Sequence, residues 1–436
     1  NHWVCPVCSA LPGSLPTVNK KSVEYACQLA MALNCSINKV SFFDRKNYFY
    51  PDLPKGYQIT QFFTPIAVDG HLGSVHIERI QMEEDTGKSS HDNQNSYINL
   101  NRAGTQLIEI VSGPNMSTAS EASGYLKSLH TILVYLGICK GNMQDGNFRA
   151  DVNLSLKPKG STVFGTRTEV KNLNSFKNVE KAIEYEIKRQ SELLDKNEKV
   201  KQQTLLFDAE KMETYLLREK SNEDDYRYFP DPDLGPLALS DKLLETWKQD
   251  LPELPEAKKN RFMNHYSLSE YDASILINDK DLAFYFEEVA ALYKGEAKKA
   301  ANWIMVELLR YLNESGKEVS RSPVSAKNLA SLLNIMLEEK ISGKQGKEVF
   351  EKMFDTSAEP EKIISDLGLE QVSSVDDLEP LARKIIEANP KEVGEYLSGR
   401  DRMLGFFVGQ IMKETEGKAN PKLTSDLVKK LLDAKK

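Results

Sequence analysis

The chain has 436 residues, 40% hydrophobic and 28% charged, with a formal net charge of −7. That size implies two to four domains with an ordinary buried core, and the composition excludes a disordered or low-complexity chain. The acidic balance argues against a general nucleic-acid coat but leaves room for a local basic face, and no apolar run is long enough to cross a bilayer as a helix.

The chain opens at Asn1 rather than Met, without the basic start and apolar core of a secretory signal, and residues upstream are expected. Cys5, Cys8, Cys27, Cys35 and Cys139 are odd in number and widely spaced, which argues against a disulfide framework and for a reducing compartment. Cys5-x-x-Cys8 reads as half of a zinc ribbon or knuckle, or equally as two unrelated loop cysteines. A loop through Pro12-Gly13 and Pro16 leads to a helix predicted from a Ser22 cap to about Asn34. The aromatic run Phe42 to Tyr50 predicts a strand stopped by Pro51, with Lys46, Tyr48 and Tyr50 on one face and Arg45, Asn47 and Phe49 on the other. A turn and short strand over Pro54 to Gln61 follow. Val75 to Met82 predicts a strand running into Glu83-Glu84-Asp85, and Thr105 to Ser112 another, carrying Glu109 among aliphatics.

Thr118 and Glu121 form a capping box for a helix that Gly137 ends. Alternation over Phe148 to Leu156, with a partner strand over Val163 to Val170, sets Arg149, Asp151, Asn153, Arg167 and Glu169 on one sheet face. Phe176 to Leu194 is a long helix, and Glu223 to Asp233 is irregular. Composition shifts at Leu251 to Pro255, the expected first domain boundary. Helical patterns follow, including Ala301 to Leu312, with linkers expected at Lys340 to Gly346 and Thr356 to Glu359. Further helices are predicted over Asp376 to Ala388 and from Met403 to a stop at Gly417. Asn420 caps a last one, with Pro421 at its first position. The fold class read from this pattern is α+β, with an all-helical second half.

Glu83, Glu84 and Asp85 offer only oxygen, which suits Mg²⁺ or Mn²⁺. In a strand Glu83 and Glu84 would point to opposite faces, so both reach one metal only if the strand ends there, as Thr86-Gly87 would allow. A solvated acidic turn is the competing reading. Glu109, set mid-strand, needs a cation. Gly87-Lys88-Ser89 is no Walker A loop, because Met82 stands where that motif needs glycine. Bound ATP would need Lys and Arg from the sheet faces, with Arg45, Lys46, Arg149, Arg167 and Lys171 available. Ion pairing with neighbouring acids is the alternative fate of each.

Several long motifs then occur in order: Val4-Cys5-Pro6-Val7-Cys8, Arg45 to Lys55, Glu83-Glu84-Asp85-Thr86-Gly87-Lys88, Asn101-Arg102-Ala103-Gly104, Leu107 to Ser112, Gly165 to Phe176, Asp225 to Pro230 and Gly405 to Gln410. Across essentially its whole length the chain resembles the B subunit of the tRNA-dependent amidotransferases. The resemblance implies a β-sheet-based cradle domain over residues 1–250, a helical domain over 251–357 and a helical, tRNA-binding tail over 358–436. It implies ATP- and Mg²⁺-dependent phosphorylation of the side chain esterified to misacylated tRNA(Gln) or tRNA(Asn), then amidation by ammonia from a glutaminase A subunit, with a small C subunit completing a heterotrimer. By the same resemblance Glu84, Glu109 and Glu83 hold Mg²⁺, and Glu84 meets the incoming ammonia. Arg45, Lys46 and Lys55 contact phosphate, Arg149, Asp151, Arg167 and Glu169 frame the acceptor pocket, and Cys5 and Cys8 are half of a Zn²⁺ site.

The family's upstream Glu-x-His segment and second cysteine pair lie outside this sequence, so it carries part of each metal site. Gln81 stands where many members have His, Gln106 where Pro is usual, and Asn99 where Asp is usual. The expected compartment is the bacterial cytoplasm, with an organelle matrix or stroma also open. A tRNA-binding scaffold that has lost catalysis is the main alternative, and a free-standing Zn/Mg hydrolase a third.

Overall fold

The computed structural model describes residues 1–219, 226–369, 375–415 and 419–435. The chain divides into two compact units, Asn1–Pro255 and Glu256–Lys436. The first mixes strands and helices and the second is helical, an α+β protein as the pattern predicts.

In the first unit, helix α1 spans Lys20–Ala32. Its cap is Asn19, three residues before the predicted Ser22, because the Asn19 carboxamide accepts from the Lys21 and Ser22 amides. The strands that follow are β1 Ser36–Ile37, β2 Val40–Ser41, β3 Asp44–Asn47, β4 Tyr57–Thr60, β5 Ala67–Leu72, β6 Val75–Glu84, β7 Lys88–His91, β8 Ser96–Asn99 and β9 Gln106–Ser112. Helix α2, Ala119–Tyr135, opens on the predicted capping box, with both reciprocal bonds between Thr118 and Glu121 formed. After it come β10 Val152–Leu154, β11 Thr168–Lys171, helix α3 Phe176–Asp195, β12 Gln203–Asp208, β13 Glu213–Glu219, β14 Phe229–Pro230 and β15 Leu237–Ala238.

One four-stranded sheet has the order β1-β5-β6-β9 and is antiparallel. Ile77, Ile80 and Met82 of β6 enter a core with Ala26, Leu29 and Leu33 of the α1 segment and Leu129, Ile132 and Leu133 of α2. A second sheet, β10-β11-β12-β13, pairs β11 with β12 in parallel and takes α3 on one face. Val170, Leu205 and Phe207 meet Val179, Ala182 and Ile183 there. The small sheet β14-β3-β4 adjoins β6 through β4.

Several predicted strands are shorter in the fold. The aromatic run is extended only over β3, since Tyr48 donates to Gly56 O at 3.1 Å and Tyr50 bridges Leu53, turning the chain before Pro51. The predicted pair over 148–156 and 163–170 shrinks to β10 and β11. Phe148 leaves the ladder to pack edge-on against His130 and beside Phe176, and Gly165 donates to Leu156 O at 3.1 Å to close the loop. By contrast β6 runs two residues further than predicted, so Glu83 and Glu84 lie inside the ladder, opposite Leu107 and Gln106. Glu223, Asp224 and Asp225 lie outside the described residues.

In the second unit the predicted helix over Ala301 to Leu312 is interrupted by a π turn, Ile304–Leu308, between the helices Ala297–Trp303 and Leu309–Ser315. Part of the predicted linker at 340–346 is helical, because Ser342 and Gln345 form a capping box that starts the helix Gly343–Thr356. The last helix, Pro421–Asp433, has the predicted Asn420 cap and proline start, while the stop at Gly417 falls outside the described residues. Leu378, Ile386, Phe407, Ile411, Val428 and Leu432 share one core. Among the described residues no helix is long and apolar enough to cross a membrane.

Candidate active site

Strand alternation governs the acidic stretch. Gln81 and Glu83 point to one face of β6, and Ile80, Met82 and Glu84 to the other. On the first face Glu109 of β9 stands opposite Gln81, and Gln81 donates to its Oε2 at 3.1 Å. Arg79 donates to Gln81 Oε1 at 3.0 Å. Glu83, nearly buried, receives Lys46 Nζ from β3 at 3.2 Å and hydrogen-bonds Glu109. Desolvation, then the hydrogen bond and charge of Glu83, push the Glu109 carboxyl up to about 7, against the pull of Lys46 and Arg79. Solvent does reach Glu109 across the open side of this face, so desolvation is partial and the like charge of Glu83 is the firmer cause. Desolvation works to lower Lys46, but the charge and hydrogen bond of Glu83, with Tyr228 and Glu109, together outweigh it and hold the ammonium above its ordinary range.

Glu84 does not join this pair. Its carboxylate accepts from the Ile59 amide at 2.9 Å and is ion-paired with Lys55, both side chains being almost fully buried. The Lys55 ammonium has no further acceptor among the described residues. Gln58 donates to Glu84 O at 2.6 Å and accepts from Tyr48 OH at 2.6 Å. Cys8 closes the same corner: a Cβ on Gly104 would lie 2.3 Å from Cys8 Sγ and 3.9 Å from Glu84 Oε2, which explains glycine in the Asn101 to Gly104 turn. Cys5 Sγ accepts from the Cys8 amide at 3.5 Å. Although desolvation opposes it, hydrogen bonds from Cys8 and Val7 hold the Cys5 thiol below its ordinary value, while burial pushes Cys8 up to about 12.

Asp85 lies past the strand end and is shared by two guanidinium groups. Arg102 reaches it at 2.9 Å, and Arg149 pairs with the same oxygen. Arg45 is held by Asp231 at 3.0 Å and Asp233 at 2.6 Å, with its guanidinium 4.1 Å above the Tyr57 ring. The predicted acceptor-pocket residues therefore separate. Arg149 belongs to Asp85, and Asp151 and Glu169 share Lys171, the latter at 3.3 Å. Arg167 is exposed in the loop before β11. Sequence reasoning missed Arg102, Gln58, Asp231 and Asp233. Arg102 stood inside a quoted motif, whereas the two aspartates come from nearly 190 positions along the chain and gave no local signal.

Each cation predicted for phosphate contact thus already has a carboxylate partner. Arg45, Lys46 and Lys55 face Asp231, Asp233, Glu83, Glu84 and Glu109, so the acids outnumber the bases. Among the described residues no three His, Cys, Asp or Glu side chains are gathered as a complete metal set. Glu83 and Glu109 alone fit a divalent cation, as two mutually repelling carboxylates on one face. Cys5 and Cys8 remain two thiols.

The model of the GatB/GatE catalytic domain matches residues 1–245, and that of the GatB domain matches residues 284–432. The chain belongs to the GatB family. One relative, from Trichlorobacter lovleyi, is 51% identical over 441 residues, covering 99% of this chain and 93% of the relative. Another, from Persephonella marina, is 47% identical over 440 residues with the same coverage. Both are named as the B subunit of aspartyl/glutamyl-tRNA(Asn/Gln) amidotransferase. The family is one of ligases, and the β6–β9 face lies within its catalytic domain.

Proposed function

We propose that this chain is the subunit that activates and amidates the aminoacyl group of Glu-tRNA(Gln), Asp-tRNA(Asn) or both, using ATP and ammonia passed from a glutaminase partner in a complex with a small third subunit. The observation that carries it is the 47% and 51% identity, over nearly the whole chain, with subunits of that name, and the polar face of β6 and β9 has chemistry suited to it. A side-chain carboxylate is a poor acyl donor; transfer of the terminal phosphoryl group of ATP makes an acyl phosphate, and ammonia then displaces phosphate.

Mg²⁺ on Glu83 and Glu109 would neutralise both carboxylates and the phosphate charge. Lys46 keeps Glu83 in place and is the nearest cation for the transferring group. Lys55 has two donors to spare beyond Glu84 for an oxyanion at the buried end. Glu84, aimed away from the Glu83–Glu109 pair, is the carboxylate set to receive ammonia. Arg102 and Arg149, bound by a single Asp85, leave net positive charge for the acceptor end of the tRNA.

The test is amide formation on each misacylated tRNA by the chain assembled with its partner subunits. Product is expected only with ATP, Mg²⁺ and an ammonia source. Binding of tRNA without ATP-dependent amidation would instead identify a scaffold.

A further inference from the structure

The second sheet carries a cavity whose lining shares no residue with the β6–β9 face. It holds about 270 Å³ and lies between the loop joining β10 to β11 and the C-terminal turns of α3. Leu156, Leu194 and Val200 give it apolar walls, the exposed Thr166, Glu198 and Lys199 stand at its rim, and Gln190 is its inner polar group. Gln190 is fully buried. Its amide nitrogen is surrounded by acceptors, with Leu154 O at 3.3 Å, Thr168 Oγ1 at 2.9 Å and Glu186 Oε1 at 3.0 Å. That fixes the orientation of the amide, because a flipped group would turn its oxygen toward the same oxygens. Gln190 Oε1 is left without a donor among the described residues. A buried acceptor left unsatisfied is costly, and a ligand N–H would relieve it.

The frame of the cavity is basic in an acidic protein. The loop over 157–167 contributes Lys157, Lys159 and Arg167 and no acid, and the segment after α3 contributes Lys196, Lys199 and Lys201 against Asp195 and Glu198, all exposed. Phe164 is 49% exposed with Lys157 Nζ 4.5 Å from its ring centroid, so one ring face is backed by a cation while the residue remains open to solvent. Exposed aromatic surface among lysines, beside a small cavity whose lining includes Gln190 with its unsatisfied amide oxygen, matches the chemistry of single-stranded RNA recognition.

We propose that this cavity receives one unpaired base of the RNA substrate, a base bearing an amino group that donates to Gln190 Oε1, while Phe164 stacks a neighbouring base and the lysines meet the phosphates. A base held in a duplex would first have to leave its stack, so an unpaired base enters at lower cost. The proposal rests on the reading that the chain acts on tRNA.

The experiment is anisotropy-monitored binding of a tRNA(Gln) transcript and of short oligo(rA), oligo(rC) and oligo(rU) to the full chain over a salt series. Phe164→Ala is expected to weaken tRNA binding by about five- to a hundred-fold, the worth of one stacked base. Lys199→Glu should weaken it further at low salt, and Lys157→Ala should reduce the salt slope by about one. Wild type should prefer oligo(rA) and oligo(rC) to oligo(rU), and Gln190→Leu should abolish that preference. If Gln190→Leu does not fold, the exposed positions decide. Unchanged tRNA affinity in both Phe164→Ala and Lys199→Glu overturns the inference while tRNA amidation stands. Loss of assembly with the partner subunits in those variants, with tRNA affinity intact, overturns it in favour of a protein surface. Absence of both tRNA binding and amidation in the wild type removes the functional reading itself.

Discussion

Two acids, Glu109 in β9 and Glu186 in α3, both sit among aliphatic neighbours and meet opposite fates. Glu186 is completely buried, yet Arg189 grips it through Nε at 2.8 Å and Nη2 at 2.6 Å, Thr168 donates at 2.8 Å and Gln190 at 3.0 Å. Desolvation pushes its carboxyl up, but these donors outweigh it and hold the group below its ordinary value. Glu109 is reached by solvent and still sits well above its ordinary value, through desolvation and the hydrogen bond and like charge of Glu83. Depth alone does not set the direction in which an acid is shifted; the completeness of its partners does. Glu186 has every partner it needs and fastens helix to sheet. Glu109 lacks one, and a cation or a proton must supply it.

The contrast can be broken most directly by Glu109→Gln. If the carboxylate acts in the reaction, amide formation should fall about a thousand-fold, equivalent to ~4 kcal/mol on the barrier, while the protein stays folded. A near wild-type rate would make Glu109 an ordinary surface acid. The mirror experiment is Arg189→Met. It strands the Glu186 charge and should cost about 3 kcal/mol of stability by urea denaturation, discounted slightly for the partial exposure of Arg189, with amidation per folded molecule unchanged. Thr168→Val removes one donor from the same carboxylate and should cost about 2 kcal/mol; a neutral effect would mean that Arg189, Gln190 and Thr214 satisfy Glu186 without it.

The smallest effect is in the pH dependence of stability, where the two acids have opposite signs. The folded Glu109 carboxyl sits at about 7 against an ordinary 4.5, so the folded state binds its proton more tightly than the unfolded state. Its contribution is fully present below about pH 4.5 and is lost as pH rises through about 7, so Glu109→Gln should flatten the fall in urea midpoint across that window. Glu186 is depressed, so its contribution is present above the ordinary glutamate value and is lost only as pH falls below it. Arg189→Met removes the largest of the effects that lower it and leaves desolvation less opposed, so the acid-side loss of stability should begin closer to neutral pH.

Much of the scaffold was legible because it is local. The Thr118–Glu121 capping box, the Asn420 cap with Pro421, and the helix opening at Phe176 each depend on residues within one turn. Strand lengths were less legible. Alternation over Phe148 to Leu156 satisfies the strand pattern, yet Phe148 is drawn to the rings of His130 and Phe176, which are distant in sequence. At the site, the presence of Glu83, Glu84, Glu109, Lys46 and Lys55 could be read from motifs, but their grouping could not. The expectation that three acids converge depended on where β6 stops, and the Glu84–Gln106 pairing that extends it is a contact with another strand.

By itself, then, the amino-acid sequence determined the α+β class, the helical second half, the family and the main acidic and basic side chains of the candidate site, all carried by local periodicity, caps and contiguous motifs. Only the tertiary structure decided who neutralises whom. Glu84 went to Lys55, Asp85 to Arg102 and Arg149, and Arg45 to Asp231 and Asp233, while Glu109 was left to share with Glu83. The reason is physical: a charge is satisfied by whatever opposite charge lies within a few ångströms, and the chain brings those groups together only after its strands have paired.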